Sequence, residues 1–144
     1  MALLYLDASA AIPLFVREAQ TDRVREFLRP IPPVQIAISN WVTTEIAGAL
    51  STMVRNGALD LELRHAAAAQ WQSLRHGFTL LPIADEMFER AALLAGRPTL
   101  GLRAADALHV AIAQSAACEL VTFDVAMAKA AREIGVAVAS IGPT

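Results

Sequence analysis

Leu3-Leu4-Tyr5-Leu6-Asp7-Ala8-Ser9-Ala10-Ala11 decides how the rest of the chain is read. An apolar run of four residues stops on a carboxylate and passes, without a linker, into helical pattern. Short continuous apolar runs of this kind are strands covered on both faces. Working outward, the same alternation repeats. Helical pattern covers residues 8–16 and 19–28, and residues 34–38 form a second strand candidate. Ser39 or Asn40 can cap a helix that runs to Asn56, where Gly57 can stop it. Asp60 starts another helix, ended by Gly77. Residues 78–81 read as a third strand closed by Pro82, and Asp85 opens a helix that stops near Gly96-Arg97-Pro98. A strongly apolar helix spans residues 103–117, followed by a fourth strand over 120–123. A helix over 125–134 is turned by Gly135 into a last strand, 136–141. Strands alternating with helices of this length imply crossovers between parallel strands. The expected fold class is α/β: one domain over residues 1–144, with a central, mostly parallel sheet of four to five strands flanked by helices. Such sheets bind ligands at the carboxyl ends of their strands.

Composition limits the function. Of 144 residues, 56% are hydrophobic, many of them alanine, which suits closely packed helices with a surface left for a partner. Twelve basic and fourteen acidic residues leave a formal charge of −2, which argues against nucleic-acid binding by bulk positive charge. A local arginine cluster is not excluded by that balance. Cys118 is the single cysteine, so no intrachain disulfide can form; it reads as a small core residue in a reducing, cytoplasmic setting. The apolar N-terminus has no cationic leader and meets Asp7 at once, so it is not expected to be a signal peptide. No run approaches the ~18 apolar residues of a membrane helix.

Four carboxylates stand out against this background. Asp7 and Asp124 each follow directly on a strand, so in a parallel sheet they share one rim, although each also suits the cap of its following helix. Asp106 lies in Arg103-Ala104-Ala105-Asp106-Ala107-Leu108-His109-Val110, a helix apolar on nearly every side. A carboxylate there must be paired, protonated or metal-bound, and Arg103 three residues earlier is the one local cation. Glu45 shares a helix face with Trp41 and Ala49, on the flank of an apolar stripe, and can point into a cleft or into solvent. Carboxylates gathered in one cleft repel each other and raise each other's pKa. A hard divalent cation removes that penalty, and Mg²⁺ and Mn²⁺ prefer oxygen ligands. The chemistry that suits such a pocket is phosphodiester hydrolysis.

Together these motifs resemble the PIN-domain nucleases, and within them the VapC-type toxins of bacterial toxin–antitoxin pairs. Leu6-Asp7-Ala8-Ser9 resembles the family's opening strand with its first acid, and Thr44-Glu45-Ile46 resembles the second acid on its helix. Leu102-Arg103-Ala104-Ala105-Asp106-Ala107-Leu108-His109 is the strongest match and carries the third. Leu120-Val121-Thr122-Phe123-Asp124, followed by Ala128-Lys129-Ala130-Ala131, resembles the fourth. Order and spacing agree over residues 3–141. The resemblance implies an endoribonuclease dependent on Mg²⁺ or Mn²⁺, which hydrolyses RNA through a metal-activated water. Asp7 and Asp106 carry over as metal ligands, and Glu45 and Asp124 complete the pocket directly or through water. Ser9 matches the small hydroxyl residue two after the first acid and either orients the site or caps the helix. The resemblance also implies a small cognate antitoxin that covers the cleft, often through an arginine, and a homodimer in the cytoplasm.

Other residues are weaker signals. His109 lies three residues from Asp106, as a general base or as a core histidine bonded to backbone. His65 and His76 sit on a polar helix face. Arg17, Arg23, Arg25 and Arg29 suit phosphate, yet Glu18, Asp22 and Glu26 beside them favour a solvated charged helix. Trp41 and Trp71 read as core or dimer contacts. Two other classes compete. A phosphatase of the haloacid-dehalogenase type needs a second aspartate where Ser9 stands, and a receiver domain needs an acceptor aspartate ending the middle strand, where Pro82 stands. The third alternative is a binding module whose acids are only structural.

Overall fold

The computed structural model describes residues 2–141. Strand β1, Leu4–Leu6, lies in the middle of the sheet and all three of its residues are buried. This is what an unbroken apolar run requires when both faces are covered. Its neighbours are β2, Ile36–Ile38, and β4, Glu119–Val121; β3, Thr79–Leu80, adds to the far side of β2. The order is β3-β2-β1-β4 and every pairing is parallel, with Leu4 opposite both Ile36 and Glu119.

The sheet thus has four strands, at the lower end of the sequence expectation. The fifth, expected over 136–141, is reduced to a single parallel bridge between Leu120 and Val138. Among the described residues, Leu120 alone pairs with it as a strand would: its N–H donates to the Ala137 carbonyl and its carbonyl accepts from Ala139. Each of the other expected strands is shorter than its apolar run, β1 by one residue and β3 by two. Pro33–Gln35 forms a 3₁₀ turn ahead of β2, and β4 ends at Val121 because Thr122 and Phe123 turn toward the next helix.

Seven helices flank the sheet among the described residues. The first helical pattern breaks in two: α1 is only Ala8–Ala11, and Ile12–Leu14 tightens into a 3₁₀ turn. Pro13 lacks the N–H that a continuing α-helix would use. The others are α2 (Thr21–Leu28), α3 (Asn40–Arg55), α4 (Leu61–Arg75), α5 (Asp85–Ala95), α6 (Ala104–Ser115) and α7 (Val125–Glu133). Asp60 caps α4 by accepting from Leu63 N–H at 2.7 Å, and Gly57 follows α3 with φ 82°, a conformation costly for any side chain. Ser39 is the N-cap residue of α3, but its hydroxyl makes no cap bond; it is spent on Tyr5 instead.

Helix α6 is the interior helix. Every residue from Ala107 to Ala113 is buried, and α5 packs extensively along it. Burying one large aliphatic side chain such as Ile112 contributes about 1.5–3 kcal/mol. Trp71 anchors α4, buried against Phe15 and Phe78, and its indole N–H donates to Thr43 on α3 at 3.1 Å. Cys118 is buried, as expected of a small core residue, and burial pushes its thiol pKa up. No helix among the described residues is long and apolar enough to cross a membrane.

Candidate active site

Because the sheet is all parallel, the carboxyl ends of β1, β2 and β4 meet at one rim, which carries Asp7, Ser39, Thr122 and Asp124. Asp7 is only 2% exposed. It caps α1 by accepting from Ala10 N–H at 3.0 Å, and the same oxygen, Oδ1, accepts from the Ser9 hydroxyl at 2.7 Å. Its other oxygen, Oδ2, accepts from the Thr122 hydroxyl at 2.5 Å. So the helix cap foreseen for Asp7 exists, but it uses only half of the carboxylate. Burial raises the Asp7 pKa, and the donors from Thr122, Ser9 and Ala10 oppose that rise without cancelling it.

Ser9 does more than cap a helix. Its oxygen lies 3.2 Å from that of Thr122 and accepts from Phe123 N–H at 2.9 Å, so it ties α1 to the segment that follows β4. Thr122 in turn accepts from Asp124 N–H at 3.0 Å, and Asp124 caps α7 by accepting from Met127 N–H at 2.9 Å. One hydroxyl therefore connects the two strand-end aspartates. In the sequence Thr122 passes as one member of an apolar strand; its only signal is a hydroxyl in the position before a strand-end acid.

Asp106 stands in the first turn of α6, where the helix dipole favours a negative charge. Its side chain is 16% exposed, so it borders the core rather than lying in it. The local pair with Arg103 does form, but at 3.4 Å and with an arginine that is 84% exposed, so solvent screens it. Burial raises the Asp106 pKa most, Asp124 raises it further and Glu45 adds to the rise, while Arg103 opposes them. Asp106 thus feels the charge of both Asp124 and Glu45.

Glu45 projects from α3 and its Oε1 accepts from His109 Nε2 on α6. His109 is 1% exposed, and its other nitrogen, Nδ1, is 2.8 Å from the Tyr5 hydroxyl. That hydroxyl is also 2.8 Å from Ser39 Oγ. His109 is a core histidine, as expected, but its partners are side chains and not the backbone.

A pair of arginines stands near the rim. A cavity of about 330 Å³ beside Asp124 is lined by Gln20, Arg23, Thr122, Phe123 and Arg132, among others. Arg23 donates to Gln20 at 2.9 Å and to the Ile141 carbonyl at 2.9 Å, and lies over the Phe123 ring. Arg17 forks onto Asp22 at 2.8 and 2.9 Å on the surface, and Arg25 donates to the Leu14 carbonyl at 3.1 Å. Arg17, Arg23 and Arg25 are thus engaged within the fold, partly by backbone carbonyls outside their helix.

The donor set at the rim is all oxygen, which fits a hard divalent cation and not a thiophilic one. Among the described residues, the partners of the Asp7 carboxylate are two hydroxyls and one backbone N–H. Such a buried carboxylate, with its pKa raised, is chemically suited to a cation. As the side chains stand, no group of three or more His, Cys, Asp or Glu among the described residues is gathered to hold a metal ion. Each acid leans on a local partner instead: Asp7 on hydroxyls, Asp124 on its helix cap, Asp106 on Arg103 and Glu45 on His109.

Fold and rim together define a class: an all-parallel α/β domain with carboxylates at the carboxyl ends of its strands. The PIN domain matches residues 4–133, and the chain belongs to the PIN-domain family. It is 32% identical over 141 residues to Ribonuclease VapC46 of Mycobacterium tuberculosis (strain ATCC 25618 / H37Rv), spanning 96% of this chain and 97% of that protein. FitAcB from Neisseria gonorrhoeae superposes with a TM-score of 0.73 at 19% identity, covering 96% of this chain and 97% of the other. Mycobacterium tuberculosis VapC20, a sarcin-ricin loop cleaving toxin, gives 0.72 at 17% identity, covering 96% and 99%. A chain of a toxin–antitoxin complex from Klebsiella pneumoniae gives 0.67 at 21% identity, covering 96% and 97%. At these identities the structural likeness is one of fold.

Proposed function

We propose that the protein is a ribonuclease toxin that hydrolyses RNA phosphodiester bonds at this rim with Mg²⁺ or Mn²⁺. The observation that carries the reading is Asp106. Its charge is opposed by burial and by Asp124 and Glu45, and only one exposed arginine answers it. Similarity to a protein named a ribonuclease supports the reaction class. Asp7 and Asp106 would hold the cation, with Glu45 and Asp124 completing the site directly or through water. The bound cation supplies an activated water and offsets charge on the phosphoryl group. Ser9 and Thr122 fix the orientation of Asp7. Arg103 and Arg132, both exposed, offer guanidinium groups for RNA phosphates beside the acids.

Two partners belong to the same reading. A small antitoxin is supported by the solved toxin–antitoxin complex that this fold resembles. A second copy of the chain is supported by an apolar groove of about 490 Å³, in which Trp41, Phe88, Ala92 and Leu108 take part. The place of action would be the cytoplasm.

The test uses the full chain, freed of any co-purifying small protein, incubated with RNA. Cleavage is expected with Mg²⁺ or Mn²⁺, to stop in excess EDTA and to be lost in Asp7→Asn and Asp106→Asn. Cleavage that persists in EDTA or survives Asp7→Asn sinks the metal-nuclease reading.

A further inference from the structure

Four polar side chains, distant in sequence, form one string through the core: Ser39 Oγ, Tyr5 Oη, the His109 ring and Glu45 Oε1. Ser39 and Tyr5 are fully buried and His109 nearly so, whereas the Glu45 side chain is 25% exposed. Only the last member therefore reaches the rim. Tyr5 and Asp7 are two residues apart on an extended backbone, so they point to the same side of the sheet. The string runs beneath the acids.

The hydrogen inventory gives it a direction. A carboxylate has no hydrogen to donate, so His109 Nε2 must carry the proton shared with Glu45. With one ring hydrogen placed on Nε2, Nδ1 is an acceptor and the Tyr5 hydroxyl donates to it. Ser39 then donates to the Tyr5 oxygen. Three donors in sequence end on one oxygen of Glu45. The ring's position is over-determined: His109 is held by α6 and by a tyrosine on β1, and that tyrosine by a serine at the end of β2. Hydrogen bonds of this kind, which orient a metal-binding carboxylate from behind, alter metal affinity by about 10–100-fold when removed.

We propose that His109 is a positioning residue, braced by Tyr5 and Ser39, that fixes the Glu45 carboxylate at the rim, where it would help to hold the cation. This rests on the metal reading above. It assigns work to three residues outside the acidic set, and it explains why the Ser39 hydroxyl is turned away from the helix it precedes.

The experiment is titration calorimetry of the full-length chain with Mn²⁺ alone, without RNA, paired with thermal unfolding of each variant. His109→Leu is expected to weaken Mn²⁺ binding by about 10–100-fold. Tyr5→Phe, which keeps the ring and removes only its hydroxyl, should weaken it less, and Ser39→Ala least. His109→Gln, which can still present an N–H to Glu45, should recover much of the loss. Ile112→Val, a core truncation on the same helix, should lower the melting temperature and leave the affinity unchanged. Should His109→Leu fail to fold, Tyr5→Phe and His109→Gln decide the matter. Wild-type affinity in Tyr5→Phe and His109→Leu, with Asp7→Asn weakened, overturns the positioning role alone. An Asp7→Asn variant that binds Mn²⁺ as the wild type does overturns the metal reading beneath it.

Discussion

Asp106 shows what the site demands of single residues. Its pKa lies above the ordinary carboxylate value of about 3.9, because of burial first and Asp124 second. Between the ordinary value and the raised one, the native state holds more protons than the unfolded chain. The contribution of this group to stability therefore falls as pH rises through that window, and is neutral below it. Asp106→Asn removes the charge and the penalty. In EDTA its stability relative to wild type should rise across the window and then level off, as measured by urea unfolding at several pH values. A constant difference at all pH values would show that folding does not raise the Asp106 pKa. The buried Asp7 is shifted in the same direction, but its three donors make its asparagine variant a poorer test.

At the scale of elements, the rim depends on α3, which carries Glu45 and is tied to α4 by Trp71. The indole packs against Phe15 and Phe78, and its N–H meets Thr43, which also accepts from Arg75 at 3.0 Å. Little else of α4 is buried; Ala67 and Trp71 are its only core residues. Trp71→Ala should cost about 3–5 kcal/mol in chemical denaturation, as expected for a large aromatic lost from a core. A cost under about 1 kcal/mol, the level of a surface substitution, would mean that α4 is held by other contacts. The element pattern was legible in the chain: helix starts at Asp60 and Asp124 and the stop at Gly57 are local signals. The break at Pro13 was not read, because helical periodicity across residues 8–16 hid it. The missing fifth strand was not legible either, because an apolar run becomes a strand only where an edge offers it partners.

For the whole molecule, the apolar fraction read from composition is not all interior. Phe88 on α5 is 53% exposed, and Trp41 on α3 lies across the same groove. A second copy of the chain would cover this face. Sedimentation at tens of micromolar, roughly the range where weak dimers form, should show a dimer in wild type and a monomer in Ala92→Glu. A wild type that stays monomeric there ends the homodimer proposal.

The sequence by itself determined the alternation of strands and helices and the strand-end positions of Asp7 and Asp124. These depend on side-chain period and capping, which act over a few residues. It also marked Asp106, because a charge in an apolar helix contradicts its own surroundings. Only the tertiary structure decided what the acids lean on. Thr122 reaches Asp7 across 115 residues, His109 reaches Glu45 across 64, and Tyr5 reaches His109 across 104. No periodicity encodes such pairs. A threonine, a tyrosine and a serine in or beside buried strands look like ordinary core until parallel pairing brings the carboxyl ends of those strands to one rim.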